Sequence, residues 1–349
     1  MSSPGPIELR SDNCAGVAPQ ILAAIEAANT GSALAYGADA VTAQLIEVAR
    51  DLFGHPEAKV FPVLSGTAAN ALALSAMCPP WGSVLCHETA HIFVNEAGAT
   101  SMFGAGAVMR GLAGTDYKLH PDGVQQAFDT TLWDDAHYSQ PSVLSVTCPT
   151  DFGTIYSPAE VRALGALAAS RGLRLHLDGA RIANALVALD CTAPELTTNA
   201  GVQVFSLGAT KNGALSTDAI VSFDGAANDQ LMYRLKRAGQ VASKMRFQSV
   251  QLLAYLTDDL WLQLARRAND AMAGLATGLR NLDVELLAEP QANMLFARVG
   301  QPAIERLVAQ DLLFYEMGGG VLRFVTSFQT TDDDVDEALR RAERAFSPG

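Results

Sequence analysis

Val202-Gln-Val-Phe-Ser-Leu-Gly-Ala-Thr-Lys-Asn-Gly-Ala214 is a short apolar run that opens into a small-residue turn carrying Lys211. Upstream, Leu173-Arg-Leu-His-Leu-Asp-Gly-Ala-Arg181 reads as a second strand, and it ends on Asp178. Alone, a strand-end Asp is often a helix cap and a loop Lys is usually solvated. An acid at one strand end and a lysine at the next, inside an α/β pattern, make a more specific pair. The acid keeps a pyridine nitrogen protonated so that the ring accepts electrons, and the lysine forms a Schiff base. Together they are the two requirements for holding pyridoxal phosphate.

Working outward, strand-like runs recur at Lys59–Leu64, Ser83–Cys86, Ala107–Arg110, Ser142–Thr147, Leu173–Leu177 and Val202–Ser206. Helical patterns fall between several of them: Val41–Phe53, the stretch from Ser65 to about Met77, Gly123–Thr130, Pro158–Ser170 and Asp178 onward. A further helix starts at Pro19. This alternation predicts an α/β fold with a mostly parallel sheet covered by helices. Ala219–Phe223 is expected as an edge or antiparallel strand. From Asp229 to Leu282 the pattern is almost wholly helical, followed by short strands at Val284–Leu287, Asn293–Val299 and Val321–Val325 around a helix at Pro302–Asp311. Thr331-Asp-Asp-Asp reads as an N-cap cluster opening the last helix. The expected division is an N-terminal arm and large cofactor-binding domain over 1–245 and a smaller C-terminal α/β domain over 246–349.

The chain has 349 residues, enough for two such units with a real core. Only 17% of residues are charged against 49% apolar, so some apolar surface is expected to be buried between subunits. A net charge of −13 without a dense Lys/Arg patch argues against a nucleic-acid partner. No apolar stretch is long enough to span a membrane, and Met1-Ser-Ser-Pro-Gly-Pro lacks a signal region. Five cysteines without a CxxC pair suit reduced thiols and a cytoplasmic setting. His87-Glu-Thr-Ala-His91 matches the HExxH zinc pattern formally. Val84-Leu-Cys before it reads as a strand, however, and no further ligand cluster follows, so no metal site is expected.

Ser65-Gly66-Thr67 closes a strand and opens a helix, where Gly66 allows close backbone approach and free N–H groups make an anion site. Alone this is an ordinary capped turn; beside the Asp178/Lys211 pair it becomes the phosphate cup. In order, Arg10-Ser-Asp-Asn, Tyr36-Gly-Ala-Asp, Ser65-Gly-Thr-Ala-Ala-Asn, His91-Ile-Phe-Val-Asn-Glu-Ala-Gly, Leu177-Asp-Gly-Ala-Arg and Ser206-Leu-Gly-Ala-Thr-Lys resemble the L-threonine aldolases. These belong to the β-eliminating-lyase group of fold-type-I pyridoxal-phosphate enzymes. The resemblance runs from about Leu9 to the final helix.

Carried over by position, the resemblance implies that Lys211 forms the Schiff base, Asp178 pairs with the pyridine nitrogen and Arg181 reaches the cofactor's phenolic oxygen. Gly66 and Thr67 would hold the phosphate, and His91 would stack on the ring. Ser11 and Arg323 would bind the substrate carboxylate. Arg246 would reach a neighbouring subunit's phosphate, and Tyr36 would stand at the active-site rim. It further implies a homo-oligomer, a tetramer with shared sites, acting on a small amino-acid substrate. Each residue also has a plainer reading: Arg323 as an exposed strand residue, Arg181 as a partner of a surface acid, Arg246 as a helix-surface cation, His91 as a core histidine.

One departure stands out. Many family members carry Glu-Asn-Thr-His where this chain has Thr147-Cys-Pro-Thr-Asp-Phe152, so the histidine that would approach a substrate hydroxyl is missing and Thr150 or Asp151 occupies the region. The implied reaction is retro-aldol cleavage of threonine, allo-threonine or a related β-hydroxy-α-amino acid, such as phenylserine, to glycine and an aldehyde. His91, directly or through water, is the candidate base, with a water near the phosphate as the alternative. The rival reactions are a pyridoxal-phosphate-dependent β-elimination on another amino acid, or binding without catalysis.

Overall fold

The computed structural model describes residues 5–346; Met1–Pro4 and Ser347–Gly349, the outer ends of the expected N-terminal arm and C-terminal unit, lie outside the described residues. The strands in chain order are β1 (Ile7–Glu8), β2 (Lys59–Val63), β3 (Gly82–His87), β4 (Val108–Leu112), β5 (Gln140–Thr147), β6 (Arg174–Gly179), β7 (Val204–Leu207) and β8 (Asp218–Ser222). They are followed by β9 (Glu285–Leu286), β10 (Met294–Arg298), β11 (Leu312–Leu313), β12 (Tyr315–Glu316) and β13 (Val321–Val325).

Seven strands form the main sheet in the order β2-β8-β7-β6-β5-β3-β4. Parallel pairing runs from β4 through β3, β5 and β6 to β7, and β8 pairs antiparallel with both β7 and β2. The antiparallel expectation for the Ala219 region holds, but β8 lies inside the sheet and β2 takes the edge. Pro62 fits that placement, because a residue without an N–H is tolerated where one side of the strand has no partner. The helix expected from Asp178 starts later, at Ile182, because β6 continues through Gly179.

The parallel strands all deliver their carboxyl ends to one edge of the sheet, where ligands of open α/β sheets bind. His87 ends β3, Thr147 ends β5, Gly179 ends β6 and Leu207 ends β7. The helix Gly66–Met77 is buried at every position from Ala68 to Met77. Its apolar surface on all sides suits a helix packed between sheet and neighbours.

A second, antiparallel sheet has the order β12-β13-β10-β9. Met272, Leu275 and Leu279 of the long helix Leu260–Asn281 pack on it with Leu295, Leu322 and Phe324. The same helix places Trp261 and Leu264 in the core of the main sheet, so one rigid element spans both cores. The N-terminal arm joins the C-terminal unit: β1 pairs parallel with β11, and Val325 N–H donates to the Leu9 carbonyl at 2.8 Å. This pairing leads the chain past β13 and brings Ser11 and Asp12 to the sheet's carboxyl edge.

Candidate active site

Two adjoining chambers open at that edge. The inner one, about 260 Å³, is lined by Gly66, Thr67, Asn70, Asp178 and Asp218 among others. The outer one, about 460 Å³, adds Ser11, Phe152, Phe296 and Arg323. His91, Asp151, Arg181 and Lys211 line both.

Asp178 is 2% exposed at the end of β6. Its Oδ2 accepts from Asn70 Nδ2 at 3.0 Å, and its Oδ1 accepts from Ala180 N–H at 3.1 Å and Ser206 Oγ at 3.3 Å. A carboxylate receiving three donors is held in one orientation at the floor of the inner chamber. Lys211 sits in the turn Thr210–Asn212 after β7. That turn is shaped by Asp218, whose Oδ1 accepts from Ala209 N–H at 2.8 Å and Thr210 N–H at 3.0 Å.

His91 opens the short helix His91–Val94, and its Nδ1 lies 2.9 Å from Glu96 Oε1. Glu96 has a fully buried side chain and also accepts from Asn70 Nδ2 at 3.0 Å. The Glu96 hydrogen bond raises the His91 pKa above the ordinary histidine value, overcoming burial, and burial raises that of Glu96. His87 ends a strand and bonds Thr89 at 2.8 Å. The two histidines of the HExxH match therefore do not share a helix, and the geometry of that zinc motif is not formed.

Arg181 grips Asp12 in a two-pronged ion pair, Nε to Oδ2 at 2.6 Å and a terminal nitrogen to Oδ1 at 2.9 Å. Asn293 adds a third donor to Asp12 at 3.1 Å. Burial disfavours the Asp12 charge, but Arg181 outweighs it and leaves the carboxyl below its ordinary pKa. Arg323, on β13, has a buried Nε without a hydrogen-bond partner and stacks its guanidinium 5.1 Å from the Tyr315 ring centre. Burial and the charge of Arg181 lower its pKa. A buried guanidinium nitrogen left unpaired on a chamber wall suits an incoming anion. Ser11 lines the same chamber and caps the turn Asp12–Cys14, accepting from Asn13 N–H at 3.2 Å.

Gly66 and Thr67 stand at the first turn of Gly66–Met77, where N–H groups have no intrahelical acceptor. Ser65 caps that turn by accepting from Ala68 N–H at 3.3 Å. The donor set fits pyridoxal phosphate. Free helix N–H groups suit a phosphate, a fixed buried carboxylate suits a protonated pyridine nitrogen, and a lysine lies on the wall shared by both chambers.

Two expected residues stand outside these chambers in the single chain. Tyr36, 52% exposed with Lys236 4.6 Å from its ring centre, lines a separate apolar cavity with Met232 and Met245. Arg246 is half-buried and donates to the carbonyls of Thr30 at 3.3 Å and Gly31 at 3.4 Å. Conversely, Asn70, Glu96, Asp12 and Asp218 were not singled out in the sequence. One signal was available: Asn70 is a poor helix former inside a run of alanine and leucine, a position that asks for a polar task.

The chain belongs to the beta-eliminating lyase family, whose model matches residues 8–301. Its fold is that of the fold-type-I enzymes, and it is a pyridoxal-phosphate-dependent lyase. It is similar to two low-specificity L-threonine aldolases. One, from a Pseudomonas species, is 39% identical over 95% of each chain. The other, from Pseudomonas aeruginosa, is 40% identical over 95% of this chain and 96% of its own. A solved threonine aldolase structure from Leishmania major superposes with a TM-score of 0.91 at 25% identity, covering 99% of this chain and 100% of that one.

Proposed function

We propose that this chain cleaves β-hydroxy-α-amino acids, L-threonine or L-allo-threonine among them, to glycine and an aldehyde. The observation that carries the reading is the placement of Lys211 on the wall shared by both chambers, with the Asp178 carboxylate in one and the unpaired Arg323 guanidinium in the other. Bound in the inner chamber, pyridoxal phosphate supplies an electron sink for the pair left on Cα when the Cα–Cβ bond breaks.

In this reading Lys211 would hold the cofactor through its amine and would give up that place to the substrate amine. Gly66 and Thr67 hold the phosphate, Asp178 keeps the ring nitrogen protonated, and Arg181 meets the phenolic oxygen. Arg323 would take the substrate carboxylate in a forked contact, with Ser11 beside it, and so would fix the orientation of the substrate in the outer chamber. His91, which lines both chambers, would cover the ring and, directly or through water, move the hydroxyl proton. Phe152 and Phe296, with ring centres 5.2 Å apart, give the outer chamber an apolar wall for β-substituents larger than methyl, phenylserine included.

The active unit of this proposal is a homotetramer in the cytoplasm. Exposed Leu34, Trp81 and Met102 support burial between subunits. The cysteines are all free. Among the described residues no helix is long and apolar enough to cross a membrane. The division proposed is at 245/246, with Tyr36 and Arg246 serving a neighbour's site.

The test is product analysis with the loaded enzyme. Glycine with acetaldehyde from L-threonine supports the reading, whereas an α-keto acid with ammonia overturns it in favour of β-elimination. Lys211→Ala should remove both turnover and the cofactor adduct trapped by borohydride.

A further inference from the structure

We propose that Asp151 receives the β-hydroxyl group of the substrate and thereby selects β-hydroxy-α-amino acids over their deoxy analogues. This deepens the function proposed above and rests on it.

The turn after β5 is the place where the family's histidine is missing, and its two polar candidates are Thr150 and Asp151. Thr150 is fully committed inside the turn. Its Oγ1 bonds Thr154 Oγ1 at 2.8 Å and accepts from Thr154 N–H at 3.2 Å, and its own N–H donates to the Thr154 carbonyl at 2.8 Å. Its neighbour Phe152 is stacked 3.8 Å from Tyr117 and 5.2 Å from Phe296. A turn fixed by its own hydrogen bonds and a three-ring stack presents Asp151 rigidly.

Asp151 lines both chambers, yet its Oδ2 is sealed from solvent and has no hydrogen-bond partner. Asp178, Asp218 and Glu96, the other acids lining the inner chamber, are each held by at least two partners: Asp178 by three donors, Asp218 by the Ala209 and Thr210 amides, and Glu96 by Asn70 and His91. A carboxyl group left unpaired beside a cavity is costly unless a ligand completes it. Burial, then the Asp178 charge, raises the pKa of Asp151, while His91, Arg181 and Lys211 act in the opposite sense. The effect strengthens Asp151 as a hydrogen-bond acceptor.

The substrate has three polar groups to place. Its carboxylate is repelled by Asp151 and is matched by Arg323, and its amine is engaged at Lys211. The β-hydroxyl is the remaining donor, and among the residues that line the outer chamber with Arg323, Asp151 is the one acid able to accept from it before the proton moves to His91. A site built around a hydroxyl also penalises the analogue that lacks it, because the acid stays unpaired.

The experiment uses holoenzyme of wild type, Asp151→Leu and Asp151→Asn, with cofactor loading checked by absorbance. Dissociation constants for L-2-aminobutyrate, which has threonine's skeleton without the hydroxyl, and for glycine are read from the cofactor spectrum. Cleavage of L-threonine is measured in parallel. Asp151→Leu should lower threonine kcat/KM about tenfold to a hundredfold, the value of a hydrogen bond to a charged group. It should tighten L-2-aminobutyrate about tenfold and leave glycine within about twofold, since glycine leaves room for water at the acid. Should the leucine variant not load cofactor, Asp151→Asn must move both substrates in the same directions. Either quantity unchanged in a loaded variant overturns the proposal. If wild type releases no glycine from any β-hydroxy amino acid, the functional reading fails instead.

Discussion

Asn70 Nδ2 donates to Asp178 Oδ2 across 3.0 Å, joining residues 108 positions apart, and the same nitrogen donates to Glu96 Oε1 at 3.0 Å. Its two hydrogens are thus spent on two buried acids, and through Glu96 the connection reaches His91. Asn70→Leu removes a donor from both acids at once. We expect a stability loss of about 1–3 kcal/mol and a shifted cofactor absorbance, read by denaturant unfolding and visible spectroscopy of the holoenzyme. An unchanged spectrum would show that the network does not reach the cofactor.

Asp178→Asn should retain cofactor while slowing cleavage. Losing one charge stabilised in the transition state costs about 2–4 kcal/mol, on the order of a hundredfold or more in rate. A rate near wild type in the loaded variant would remove Asp178 from its assigned role.

Arg323→Lys keeps the positive charge but loses the planar fork that matches a carboxylate. Threonine cleavage should fall at least about tenfold, mainly through KM, with the spectrum of the resting holoenzyme intact. Unaltered kinetics would place the substrate carboxylate elsewhere.

The Asp12–Arg181 pair predicts a pH dependence of stability with a definite sign. Because Arg181 holds the folded Asp12 pKa below its ordinary value, the contribution is full above that ordinary value, about 4, and is lost as pH falls through the folded pKa. In that window the unfolded chain binds more protons, so stability rises with pH. Asp12→Asn should flatten the slope there and lower stability at neutral pH, both measurable by urea unfolding at a series of pH values.

The proposed tetramer makes a complementation test available. Lys211→Ala and Arg246→Ala subunits, each inactive alone, are dissociated, mixed and reassembled. Partial recovery is expected, because some hybrid sites contain both wild-type residues. No recovery despite proven subunit exchange would confine Arg246 to its own subunit.

The sequence by itself determined which segments form the strands of the main sheet and that Asp178 and Lys211 stand at or just after the ends of two of them. Strand and helix periods are local, and an acid and a lysine placed just after apolar runs must emerge at the same edge of a parallel sheet. The helix Pro19–Ala28 starts where expected, and the helix Pro158–Ser170 and the strand Val321–Val325 coincide with the expected bounds, for the same local reasons. Strand order was not legible, which is why β8 emerged inside the sheet and β2, with Pro62, at its edge. Only the tertiary structure decided which polar groups meet. Asn70, Glu96 and Asp12 lie in separate segments, and no periodicity relates Asp12 to Arg181 across 169 positions or to Asn293 across 281. Their partners follow from the docking of the N-terminal arm on β11 and of a buried helix under the sheet. It was likewise the closure of the Thr150 turn on itself that left Asp151 as the acid of the outer chamber, because hydrogen-bond satisfaction is settled in space and not along the chain.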